Sequence, residues 1–204
     1  EPYRRQRQMC IRDRERDIAG RAAEMRDVAE RLLAREEEMT VLNRLHAAGK
    51  LPKRITHCDT KLNNILFDRQ GRPLCVIDLD TTMPGFVMSD FGDFMRTAAN
   101  KAPEDEPDTS RIALDMDIFK GFARGYVETA RAFLTPLEKE LLPFGARMLT
   151  YMQTVRFLTD YLDGDVYYKI KYPLHNRVRT MAQLRLLECL DEAAGEMDAY
   201  IRML

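Results

Sequence analysis

The sequence predicts a mainly α-helical fold carrying one short β-hairpin, and three observations predict it. Stretches with apolar residues at helical spacing fill both the N-terminal quarter and the second half of the chain. Two short apolar runs flank a turn-forming Arg69-Gln70-Gly71-Arg72-Pro73 between them. The 204 residues are 45% hydrophobic and 32% charged, enough to bury a real core in a single domain.

Taken in order, residues 1–13 are Arg-rich, polar and without helical or strand periodicity, and we read them as a solvated or spurious N-terminal arm preceding one domain over 14–204. Asp17 to His46 is rich in Ala, Glu, Arg and Leu, with Leu32, Leu33, Met39, Leu42 and Leu45 at helical spacing; Gly49 and Pro52 stop it. Asn64-Ile65-Leu66-Phe67-Asp68 and Leu74-Cys75-Val76-Ile77-Asp78 form the hairpin. Pro84 and Gly85 mark a loop, after which Ser89 or Asp90 is expected to cap a helix reaching Asn100. Lys101 to Thr109, dense in Pro, Asp and Glu, is expected to be an exposed loop.

The remainder reads as helix. One helix is expected over Ser110 to Ala132, with Ile112, Phe119, Phe122 and Tyr126 on its apolar side. Thr135-Pro136-Leu137-Glu138 is a helix start with proline at the first position and glutamate three residues after the threonine, and that helix is expected to run to Leu162. Asp163 to Tyr172 is a loop in which Asp163, Gly164 and Asp165 make a polar turn, and a last helix runs from His175 towards Leu204. The methionines of the helices are expected in the core.

Composition excludes several function classes. A formal net charge of -1 offers no field for nucleic acid or an anionic membrane. No apolar run approaches the roughly 20 residues that span a bilayer, and the N-terminus has no apolar signal segment. Cys10, Cys58, Cys75 and Cys189 are scattered without a CxxC pair, which argues against a disulfide scaffold or zinc site and for a reducing cytoplasm.

Chemistry concentrates in His57-Cys58-Asp59-Thr60-Lys61-Leu62-Asn63-Asn64, followed by Asp78 at the end of the second hairpin strand. An aspartate standing alone is most often a turn or capping residue. Here it comes with a lysine, an asparagine and a second aspartate that the hairpin folds alongside. Phosphoryl transfer needs those groups: a carboxylate to orient and deprotonate a hydroxyl, a cation near the transferred phosphate, and hard oxygen ligands for magnesium. Asp59, Lys61, Asn64 and Asp78 therefore form one candidate site.

The HCDTKLNN and VIDLD strings resemble the catalytic loop and metal-binding segment of the aminoglycoside phosphotransferase and choline kinase superfamily. Within it they resemble sugar 1-kinases of the N-acetylhexosamine kinase type, as do Asp78-Leu79-Asp80-Thr81, Met83-Pro84-Gly85, Asp90-Phe91-Gly92-Asp93 and the segment from Asp160 to Tyr168 that continues to Tyr172-Pro173 and His175-Asn176. The resemblance implies a protein-kinase-like C-terminal lobe, with Asp59 as catalytic base, Lys61 at the transferred phosphate, Asn64 and Asp78 as metal ligands, Asp80 as an additional one, and His57 as a structural member of the loop. Cys58 departs from the Gly or Asn more usual there. It further implies ATP and Mg²⁺ as cofactors and a small-molecule acceptor, an amino sugar first, with Arg156 and Tyr167 on the acceptor side. Aminoglycosides, choline and homoserine are the alternative acceptors. No Gly-rich phosphate loop, strand lysine or partner glutamate precedes residue 57. The expectation is therefore a C-terminal-lobe fragment without its N-terminal β lobe, inactive alone, or else a metal- or nucleotide-binding module.

Overall fold

The computed structural model describes residue 17 and residues 19–204, and the arm expected over 1–13 lies outside the described residues. The mostly helical architecture with small antiparallel β pairs agrees with the sequence prediction. Helices α1 (Arg26–Ala34), α2 (Glu36–Met39) and α3 (Val41–Ala47) take up the first helical stretch. It starts later than Asp17 and is broken at Arg35 and Thr40, whose amides bond three residues back rather than four. At Thr40 the side-chain hydroxyl also donates to the Glu37 carbonyl, competing with the helical ladder. Gly49 ends the stretch as expected: at φ +69° it lets the Lys50 amide reach the Leu45 carbonyl, closing the C-terminus.

Two β pairs follow instead of one. β2 (Ile65–Phe67) and β3 (Pro73–Val76) make the expected hairpin, with Ile65 opposite Val76. Its turn is held by Asp68, whose carboxylate accepts the amides of Gln70 and Arg72. β1 (Arg54–Thr56) pairs with β4 (Met83–Gly85), Ile55 opposite Pro84. Pro84, expected in a loop, is tolerated in a two-stranded pair because its missing N–H can face away from the partner. β1 is fastened to the helices by Arg54, which donates to both carboxylate oxygens of Glu138 at 2.7 and 2.8 Å.

Nesting β2–β3 inside β1–β4 has one consequence for the site. The connector from β1 to β2 (57–64) and the connector from β3 to β4 (77–82) emerge at the same end of the two pairs and lie side by side.

The helical body is α4 (Val87–Ala98), α5 (Met116–Ala130), α6 (Pro136–Glu140), α7 (Leu142–Leu162) and α8 (His175–Met203). Asp115 caps α5, five residues later than the expected start at Ser110. Thr135 and Glu138 form the full capping box on α6. The single helix expected to Leu162 is divided at Leu141, where Pro143 in the next turn cannot donate to the ladder. Met39, Met88, Met95, Met148 and Met197 are buried in the main core with Phe91 and Phe119. A second apolar cluster joins Val28 and Leu32 of α1 to Val155, Leu158 and Leu162 of α7 and Leu184 of α8. Helices α4 and α7 cross through glycine: a Cβ at Gly92 would lie 2.2 Å from the Gly145 carbonyl oxygen, and one at Gly145 2.2 Å from that of Met88. This contact fixes α4, which supports the connector 57–64 through Asp90, against the long central helix. Among the described residues no helix is long and apolar enough to cross a membrane.

Candidate active site

The connector 57–64 is shaped by short local bonds and held from below by α4. Thr56 brings the chain out of β1, Cys58 turns it at φ +66°, and residues Leu62–Asn64 close it in a 3₁₀ turn that feeds β2. Asp90 is not the helix cap expected of it. It sits in the first turn of α4, and its carboxylate accepts the backbone amides of His57 at 2.9 Å and Cys58 at 2.8 Å. The Thr60 hydroxyl adds a bond to the Asp90 carbonyl at 2.6 Å. Burial pushes the Asp90 carboxyl above its ordinary pKa, and the two amides pull against that shift. Asp90 thus bears a desolvation cost while setting the backbone that enters the Cys58 turn.

His57 bonds to backbone through both ring nitrogens. Nδ1 accepts the Asp59 amide at 3.2 Å, so Nε2 carries the proton and donates to the Ile77 carbonyl at 2.9 Å. The Thr81 hydroxyl donates to the His57 carbonyl at 2.7 Å. These bonds stitch the two connectors together next to Asp78, which itself takes the left-handed conformation at φ +67°.

The expected constellation converges in this frame. Asp59 Oδ2 accepts Lys61 Nζ at 2.6 Å and Asn64 Nδ2 at 2.9 Å. Asn64 Nδ2 also donates to the Asp59 carbonyl at 2.9 Å and stands 3.5 Å from Asp78 Oδ2. The hairpin register explains the last contact: the Ile77 amide bonds the Asn64 carbonyl, placing Asp78 one residue beyond. For Asp59, burial would raise the pKa. The bonds from Lys61 and Asn64 and the charge of Lys61 outweigh it, and the net shift is downward. Asp59 is accordingly an ionised acceptor in the neutral range, partly open to solvent.

With the Asn64 amide nitrogen donating to Asp59 and standing 3.5 Å from Asp78 Oδ2, Oδ1 is the Asn64 atom left for a cation. Two hard oxygen donors suit Mg²⁺ whose remaining positions are filled by phosphate and water. No group of three or more His, Cys, Asp and Glu forms an all-protein metal cage among the described residues. Asp80, the additional ligand expected, lies exposed in the 3₁₀ turn Leu79–Thr81, and its side chain makes no hydrogen bond or ion pair among the described residues.

Arg156 and Tyr167 are brought together on another flank. The Arg156 guanidinium lies over the rings of Tyr167 and Tyr168, 5.9 and 5.5 Å from their centroids. The Tyr168 hydroxyl accepts a bond from Gln153 at 3.2 Å. Tyr167 is 73% exposed. Asp160, buried beneath them, is fully engaged: it accepts the amides of Tyr167 and Tyr168 and the Asn176 side chain. Both oxygens of that carboxylate are thus committed to shaping the loop.

Sequence reasoning missed two supports. Asp90 carried only the signature of a cap, and Glu138 only that of a capping box, although each holds a strand or loop distant in sequence. A family model described as the phosphotransferase enzyme family, APH, matches residues 4–137, which is 134 of the 204 residues. The match takes in the connector 57–64, both β pairs, α4 and α5, and ends before Arg156 and Tyr167.

Proposed function

This chain belongs to the phosphotransferase enzyme family, and we propose that it transfers the γ-phosphoryl group of ATP to a hydroxyl of a small molecule, an N-acetylhexosamine through its anomeric hydroxyl. One observation carries the transfer reading: a single carboxylate oxygen of Asp59 receives both Lys61 and Asn64, and Asn64 in turn reaches Asp78. Base, cation and metal ligands are thus within one hydrogen-bond network. The choice of a hexosamine is supported by the sequence strings that resemble sugar 1-kinases.

In this reading Asp59 orients the acceptor hydroxyl and takes its proton as the bond to phosphorus forms. Its lowered pKa makes it a weak base, which suits a loose phosphoryl-transfer transition state in which the proton leaves late. Lys61 neutralises Asp59 in the resting chain and swings to the phosphate when ATP is present, a move its partial exposure allows. Asn64 through Oδ1 and Asp78 through its carboxylate would hold Mg²⁺, which when bound offsets charge on the phosphate oxygens. The exposed apolar side chains of Leu74 and Val76, which share one face of β3, would face the nucleotide. Arg156 and the tyrosine pair would bound the acceptor.

The test is ADP release by the full-length gene product with Mg-ATP, run against N-acetylglucosamine, N-acetylgalactosamine, choline, homoserine and kanamycin, in wild type and Asp59→Asn. Turnover on an amino sugar, reduced at least about 100-fold by the substitution, is expected. Turnover confined to kanamycin, choline or homoserine would keep the transfer chemistry and replace the acceptor. Equal rates in wild type and Asp59→Asn would remove Asp59 from the base role.

A further inference from the structure

We propose that Asp105 is a positioning residue for the acceptor side: it latches loop 101–109 to loop 163–174, and the latch sets how tightly the acceptor is held. The inference rests on the phosphotransfer reading above and adds a residue to it.

The segment Pro103-Glu104-Asp105-Glu106-Pro107-Asp108 has the composition of a solvated loop, yet its three consecutive carboxylates each meet a cation. Glu104 pairs with Arg96 of α4, Glu106 with Arg111, and Asp105 with Lys171 and His175 across the gap to the other loop. Glu106 is only 6% exposed, so the loop is tied down where free chain was expected.

Asp105 Oδ2 accepts Lys171 Nζ at 2.9 Å and His175 Nε2 at 3.1 Å. The lysine is largely exposed, and an ion pair in water contributes little. The histidine differs, because it has no exposed surface and its Nδ1 accepts the Lys171 amide at 3.2 Å. Its proton therefore sits on Nε2 and points at Asp105, giving a part-buried, directional bond. The Tyr172 ring packs 4.6 Å from the imidazole.

This latch closes a frame around the acceptor flank. Asp160 fixes the near end of loop 163–174 through the amides of Tyr167 and Tyr168, and Asp105 fixes the far end at Lys171 and His175. On the other side, Glu104 reaches Arg96, Arg96 bonds Asp93, and Asp90 of the same helix holds the catalytic connector. From Asp90 to Arg96 is about 9 Å along the helix axis. Asp105 thus couples the Tyr167–Tyr168 loop to the helix that positions Asp59.

The experiment uses the full-length protein with whichever panel acceptor it phosphorylates, comparing wild type, Asp105→Ala, Asp105→Asn and Lys171→Met. Asp105→Ala is expected to raise the acceptor KM about tenfold, leave the ATP KM and kcat within about twofold, and speed amide exchange in residues 166–172. Asp105→Asn, which keeps one acceptor oxygen for His175, is expected between the two. Lys171→Met, which spares the histidine bond, should shift the acceptor KM less than about threefold. Asp105→Asn also serves as the reading if the alanine variant does not fold, an unchanged acceptor KM then overturning the latch. Faster exchange with an unchanged acceptor KM, or equal rises in both KM values, overturns the latch and leaves the phosphotransfer reading standing. A wild type that phosphorylates no acceptor overturns that reading and the latch with it.

Discussion

Replacing Asp90 by alanine tests whether the catalytic connector is held by α4. The substitution strands the His57 and Cys58 amides, now bonded at 2.9 and 2.8 Å to the two carboxylate oxygens. Bonds to a charged partner contribute about 1.5–3 kcal/mol each, so the gross loss is about 3–6 kcal/mol. Against it stands the desolvation that pushes the Asp90 carboxyl up, a cost alanine does not carry. A net loss of about 2–3 kcal/mol remains, which for a chain of this size lowers Tm by about 5–10 °C. Asp90→Asn keeps one acceptor oxygen and should lose about half as much. The Thr60 bond to the Asp90 backbone carbonyl survives both substitutions and keeps the perturbation local. Because the two amides lead into the turn that aims Asp59, kcat should fall about 100-fold in the alanine variant, beyond any effect on the ATP KM. Thermal melts followed by circular dichroism and ADP-release kinetics read both quantities. Melting within about a degree of wild type, or a destabilised variant with full kcat, would refute the reasoning and assign the connector's shape to His57 and Thr81 instead.

Two further perturbations follow from the same geometry. Cys58 sits at φ +66°, where a side chain costs about 1–2 kcal/mol and glycine costs nothing sterically. After glycine's extra unfolded-state entropy of about 0.5–1 kcal/mol, Cys58→Gly should stabilise the protein by about 0.5–1 kcal/mol with kcat retained, and a lower Tm would count against strain at this turn. The Asp105 carboxyl is held down to about 2 by the Lys171 bond first and His175 after it, despite partial burial. A depressed carboxylate stabilises the fold above its unfolded pKa and loses that contribution as pH falls from about 4 towards 2. Discounted for solvent screening, the difference in unfolding free energy between wild type and Asp105→Asn should be about 1 kcal/mol at pH 6 and vanish near pH 2. A difference that persists unchanged at pH 2 would exclude the ionised latch.

What could be read from the sequence divides along a physical line. Features defined by neighbours in the chain were legible: the Gly49 stop, the Thr135–Glu138 box, the hairpin around Gly71, and the last helix from His175. The reactive groups belong to this class, since Asp59, Lys61 and Asn64 lie within six residues and a hairpin register delivers Asp78. Features defined by distant partners were not. The β1–β4 pair joins three-residue strands separated by an entire hairpin, and Pro84 read locally as a breaker. Asp90 showed the right residue for a cap but spends its carboxylate on amides more than thirty positions away, and Asp105 looked solvated because Lys171 and His175 lie more than sixty positions away. The chemistry of the site is therefore written in a short string, while the frame that aims it exists only in the fold. A chain could keep every residue from His57 to Asn64 and still lose the site by losing Asp90, because without that carboxylate the Cys58 turn has no charged partner to hold the Asp59 carboxylate in place.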